Sequence, residues 1–95
     1  LAKQTPHGVS HNPETRRFEL DTPAGLAVAD YRLVGDTMTI YHTEVPVPVR
    51  GRTFGYRLVS GALEEVRRLK LKVVPECWFV REVVERRPEF QDLLG

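Results

Sequence analysis

Between His42 and Gly55 the chain changes its period, and no other stretch restricts the fold as much. The run His42-Thr43-Glu44-Val45-Pro46-Val47-Pro48-Val49-Arg50-Gly51-Arg52-Thr53-Phe54-Gly55 reads as a strand that loses donors, a basic glycine turn and the opening of a helix. If residues 45–48 stay extended, successive N–H groups point to opposite edges. Pro46 and Pro48 then leave one edge without donors, while Val45 and Val47 aim theirs at the other. The strand is expected to part from its neighbour on one side. In the turn, Gly51 and Gly55 flank a segment that, with Arg50, carries Arg52 and Thr53. Unpaired amides, the helix dipole and two guanidiniums converge there into an anion site, most naturally for phosphate.

Upstream of this stretch the pattern has period two. The turn signal Asn12-Pro13-Glu14-Thr15 separates two extended pieces between His7 and Leu20, the second being Arg16-Arg17-Phe18-Glu19-Leu20. Thr22-Pro23-Ala24-Gly25 and Gly35-Asp36 turn the chain into two longer strands, giving an antiparallel meander of about four. Residues 1–6 are polar, end in proline and are expected to fray. Downstream, Phe54, Leu58, Val59, Ala62, Leu63, Val66 and Leu69 share one face of a helix expected over residues 52–69. A β-branched strand, Leu71-Lys72-Val73-Val74-Pro75, and a second helix over residues 79–87 follow. A strand, a helix and a strand in this order predict a right-handed crossover, with the last strand parallel to the proline-bearing one. Parallel neighbours that diverge at the prolines leave a V-shaped cleft walled by the phosphate turn. The expected fold class is α+β, a mixed and mostly antiparallel sheet flanked by helices, in the order β-β-β-β-α-β-α.

Ninety-five residues are expected to form a single domain, 1–95, whose modest core ligand binding or dimerisation would supplement; a monomer or weak homodimer is expected. Fourteen Lys and Arg against thirteen Asp and Glu argue against a general nucleic-acid or membrane field, so a basic site must be local. One cysteine excludes an internal disulfide and a cysteine zinc cluster. With no signal peptide or long apolar span in view, a reducing cytoplasm is the expectation.

The run Arg50-Gly51-Arg52-Thr53-Phe54-Gly55 is similar to the Gln/Arg-x-x-Gly-x-Gly/Ala acyl-coenzyme A signature of the GCN5-related N-acetyltransferases. His42-Thr43-Glu44-Val45-Pro46, Lys72-Val73-Val74-Pro75-Glu76-Cys77-Trp78-Phe79-Val80 and Arg87-Pro88-Glu89 resemble the minimal, single-domain subfamily, so that the likeness runs from Gly8 to Leu94. The resemblance implies a three-layer α-β-α acyltransferase-like fold and acetyl-CoA as cosubstrate, with no metal. It implies that the pantetheine arm pairs with the backbone of Val45 and Val47 as a surrogate strand. The pyrophosphate would rest on Arg50, Gly51, Arg52, Thr53, Phe54 and Gly55, and an amide near Val45 would polarise the acetyl carbonyl. The amine acceptor, whether small molecule, peptide or protein lysine, would enter from the opposite side. Three departures stand out. Thr53 replaces a glycine of the signature, Val84 stands about where larger members carry a tyrosine that protonates the departing thiolate, and the two helices that build much of their acceptor pocket are missing.

His42 and Glu44, two apart on one strand face, are candidates to take a proton from the acceptor ammonium; their plainer reading is a sheet histidine and a solvated carboxylate. Cys77 is a candidate nucleophile, a polarisable lining group or an ordinary buried cysteine. Acetyl transfer to a primary amine by direct attack in a ternary complex is the leading expectation. A non-catalytic acyl-CoA-binding regulatory module is the rival.

Overall fold

The computed structural model describes residues 3–4, 6–51 and 53–95, the side chains of residues 3, 4 and 6 excepted. Strands β1 (Lys3–Gln4), β2 (Ser10–Asn12), β3 (Arg17–Thr22), β4 (Gly25–Val34) and β5 (Thr37–Glu44) come first. Helix α1 (Phe54–Arg68), strand β6 (Lys72–Pro75) and helix α2 (Trp78–Arg86) follow, and a 3-10 segment, Pro88–Leu93, closes the order. The sheet runs β1-β2-β3-β4-β5-β6, antiparallel except for β5 beside β6. The expected fold class holds, with the parallel pair where the crossover rule puts it.

The turns act as their residues dictate. Arg16 N–H donates to the Pro13 carbonyl at 3.3 Å, closing the β2–β3 hairpin. Gly35, at φ 59°, forms with Asp36 a two-residue link between β4 and β5 whose left-handed geometry suits strand twist. Within the segment expected to fray, Lys3 and Gln4 pair with His11 and Ser10 and add a fifth strand before α1, while residues 1, 2 and 5 lie outside the described residues. That pairing rests on backbone hydrogen bonds, which the polar composition of the segment conceals.

Burial alternates along β3 and β4 so that Phe18, Leu20, Ala27, Ala29 and Tyr31 face one side, joined by Met38, Ile40 and Val73. Leu58, Val59, Ala62, Leu63 and Val66 of α1, Val80, Val83 and Val84 of α2, and Phe90 and Leu93 belong to the same core. Both helices therefore cover one face. Of the expected three layers the described residues build two, the sheet and one layer of helices. Arg17, Asp30, Arg32 and Tyr41 lie on that helix-free face, where Arg17 Nε meets Asp30 Oδ1 at 2.7 Å. The Arg32 guanidinium stacks 4.8 Å over the Tyr41 ring.

Helix α1 stops in a Schellman arrangement. Leu71 N–H donates to the Val66 carbonyl and Lys70 N–H to that of Arg67, each at 3.0 Å, with Lys70 at φ 60°. One polar cluster is buried under α1. Glu65 accepts from Arg68 at 2.7 and 2.8 Å and lies 3.1 Å from His11 Nδ1, while His11 Nε2 is 2.6 Å from the Tyr31 hydroxyl. The Arg68 hydrogen bonds hold the Glu65 carboxyl below its usual range against the opposing effect of burial, with His11 assisting. An ionised carboxylate can only accept, so His11 Nδ1–H donates to Glu65, and the Tyr31 phenol, which burial keeps protonated, closes the chain at Nε2.

Candidate active site

The parallel ladder between β5 and β6 is four residue pairs long, from Thr37↔Lys72 to Ile40↔Pro75. The amides of Glu76 and Cys77 then both converge on the Ile40 carbonyl, at 3.1 and 3.0 Å, and the chain swings away into α2. The strands part from this point and enclose a cleft of about 910 Å³. The expected cleft is present, but its origin differs. Divergence begins at Ile40, well before Pro46, and residues 45–48 do not stay extended, since Val47–Val49 winds into a 3-10 turn. The prolines prevent the strands from rejoining rather than prising them apart.

A bulge sets which side chains meet in the cleft. Pairing with β4 steps from Tyr31↔Ile40 to Asp30↔His42, leaving Tyr41 unopposed. Thr43, not His42, therefore continues on the core side of Ile40. His42 and Glu44 face the helix-free side, half or more exposed, with His42 Nε2 3.3 Å from Glu44 Oε1. The expectation that these two share a face holds.

On the core side, Thr43 Oγ1 lies 3.4 Å from Cys77 Sγ. Cys77 is the half-buried N-cap of α2 and makes no side-chain capping bond in hydrogen-bond geometry. Burial pushes its thiol up, but the Thr43 hydroxyl and the facing amides of Val80, Phe79 and Thr43 outweigh that, and the net shift is downward. Glu76, whose charge argues against a thiolate, turns its carboxylate to Arg32 at 3.2 and 3.3 Å.

The basic glycine turn closes the other end. Arg50 Nε donates to the Val45 carbonyl at 2.9 Å, and Gly51 follows at φ 80°, a conformation that a Cβ would strain. Arg52 lies outside the described residues. Helix α1 begins two residues later than expected, with Thr53 as an N-cap whose side chain makes no capping bond. Gly55 serves packing, because a Cβ there would meet the Phe79 ring at 3.0 Å.

Among the sequence candidates, His42, Glu44, Val45, Arg50, Gly51, Gly55 and Cys77 line the cleft. Val47, Thr53 and Phe54 do not. Val47 is 68% exposed on the 3-10 turn, with its carbonyl accepting from Arg50 N–H, and Phe54 packs on the core with Arg57 over its ring. Extended geometry had placed Val47 beside Val45, and the 3-10 turn removes that alignment. Sequence reasoning missed Thr43, Tyr41, Tyr56 and Arg81 as lining residues. The bulge behind the first two has no sequence signal here, while the i, i+3 spacing of Trp78 and Arg81 could have paired those two on one helix face. Val84 is buried, 2% exposed, and Tyr31 lies in the core; the tyrosines that line the cleft are Tyr41 and Tyr56. Among the described residues no group of three or more His, Cys, Asp or Glu could hold a metal ion, and no helix is long and apolar enough to cross a membrane.

A mixed sheet split between a parallel pair, with a crossover helix rising from a glycine turn at the split, defines an acyltransferase-type architecture. The profile of the family described as GCN5-related N-acetyl-transferase matches residues 17–93, and the chain belongs to that family. Among its relatives, Protein NATD1 of Danio rerio is 34% identical over 88 residues, covering 90% of this chain and 80% of the relative. Protein NATD1 of Homo sapiens is 33% identical over 91 residues, covering 93% and 80%. The solution NMR structure of a GCN5-like protein from Staphylococcus aureus superposes with a TM-score of 0.64 at 24% identity, covering all of this chain and 87% of the other. At that identity the likeness speaks for the fold.

Proposed function

We propose that this chain transfers the acetyl group of acetyl-CoA to a primary amine by direct attack in a ternary complex. The observation that carries the reading is the parting of β5 from β6 after Ile40↔Pro75, above a positively charged glycine turn. Such a gap accepts an extended pantetheine arm along the free edge of residues 42–45. Arg50 is pinned by one nitrogen to the Val45 carbonyl and keeps its remaining fork for a pyrophosphate. The Val45 amide is the candidate donor to the carbonyl oxygen as charge develops there. His42 and Glu44 are suited to accept the ammonium proton, directly or through water, so that the neutral nitrogen attacks the carbonyl carbon. The C–N bond forms, the C–S bond breaks and coenzyme A leaves as its thiolate. Positioning within the cleft supplies much of the rate.

The sequence of α2, which holds valine at position 84 and no tyrosine, favours a second reading, a non-catalytic acyl-CoA-binding module. Incubation of the protein with acetyl-CoA and a panel of amines, monitoring free thiol, separates the two. Transfer predicts amine-dependent thiol release, whereas bound cofactor with no release on any amine selects the module. Under direct attack, Cys77→Ala retains turnover and the enzyme shows no acetyl adduct by intact mass. Loss of turnover together with an adduct in the parent protein would install Cys77 as the nucleophile. Glu44→Gln is expected to slow the reaction about tenfold or more, chiefly at low pH where the ammonium dominates.

A further inference from the structure

Most arginines whose positions are described here answer a carboxylate. Arg17, Arg32, Arg67, Arg68, Arg86 and Arg87 each have one within 2.7–3.7 Å. Among the described residues that line the cleft, two guanidiniums have no carboxylate partner, Arg50 and Arg81. Arg50 belongs to the phosphate turn. Arg81 sits on the opposite lip, held by one Nη to the Glu76 carbonyl oxygen at 3.1 Å, while the carboxylate of the same Glu76 is drawn to Arg32 on the helix-free face. The fork is thus held at the mouth with donors to spare, and the carboxylate of the residue whose backbone holds it is already paired with Arg32. Trp78, one helical turn before it and 67% exposed, lines the same mouth. Across the cleft, on β5, stand His42 and Glu44, which favour an ammonium.

A mouth that offers a proton acceptor on one lip and an unpaired guanidinium on the other is complementary to a molecule carrying an amine and a carboxylate together. We infer that the acceptor is a small amino acid, its amine held toward His42 and Glu44 and its carboxylate paired with Arg81. A polyamine would leave Arg81 facing a cation. A lysine side chain within a protein would leave it facing nothing, because the carboxylate of that residue is spent in the peptide bond. Arg81 thus determines specificity through binding and does not act on the reacting atoms. Planar bidentate recognition of carboxylate is what a guanidinium does better than an ammonium.

The inference rests on the transferase reading, and its test is built to fail separately. Standard L-amino acids are assayed one at a time against their C-amides, by thiol release with acetyl-CoA and by binding to the coenzyme A complex. Fluorescence of Trp78, the one tryptophan of the chain, reports the binding. The expected result is at least one amino acid whose amide binds about tenfold or more weakly. Arg81→Gln is expected to erase that acid-over-amide preference while coenzyme A affinity stays unchanged, and Arg81→Lys to restore part of it. Equal use of acids and amides, binding of neither, or a drop in coenzyme A affinity on changing Arg81 overturns the inference. Acid-selective binding without thiol release would instead overturn the transferase reading and leave the assignment of Arg81 standing.

Discussion

Two side chains show how placement, more than residue type, decides chemistry. Cys77 is followed in space by helix amides and faced by Thr43, so its thiol ionises more readily than its burial alone would permit. Thr43→Val is expected to raise the midpoint of the pH profile for Cys77 alkylation by iodoacetamide; an unchanged midpoint would mean that the helix end alone sets it. Glu65 works in the opposite corner of the molecule. Its carboxyl titrates below the ordinary value of 4.5 in the folded chain, so it contributes stability above that value, and the contribution is lost as pH falls through the folded one. Glu65→Gln should cost about 1–3 kcal/mol near neutral pH by denaturant unfolding, and the deficit should shrink in acid. None of this was readable in the sequence. Glu65 looks like any helix carboxylate until His11, 54 positions away, closes on it.

At the level of elements, what could be read from the residues was what period and turn chemistry control. The alternation of β3 and β4, the apolar stripe of α1 and the crossover to β6 follow from side-chain spacing and were all legible. The splay was legible for a partly mistaken reason, because Pro46 and Pro48 announce lost donors while the actual parting is made by Pro75 and the paired amides on Ile40. The bulge at Tyr41 was not legible, and it alone chooses Thr43 over His42 for the core side. Likewise the Schellman end of α1 puts Lys70, a residue with no preference for it, at φ 60°. Lys70→Gly should relieve this strain and raise stability by about 0.5–1 kcal/mol, measured by chemical denaturation. A loss would mean that the lysine side chain compensates elsewhere.

For the whole molecule, the cleft occupies the junction of sheet, turn and both helix starts, so a ligand there braces all of them at once. If coenzyme A binds the folded chain alone, a hundredfold excess over its Kd stabilises by about 2.7 kcal/mol. For a chain of this size that should lift Tm by roughly 10 °C or more; a flat Tm under saturating coenzyme A would count against the cleft as its site.

The same sheet ends quietly at both borders. Its first strand is two residues long, and beyond β6 the backbone of Leu94 and Gly95 already lies against Val73, with Gly95 N–H donating to the Val73 carbonyl at 3.3 Å. Among the described residues, neither rim offers a long bare ladder on which another copy could polymerise. Among the described residues the unsatisfied strand edge of consequence is thus internal, where β5 and β6 part, and the proposed pantetheine arm would pair with it where a second polypeptide sheet would not.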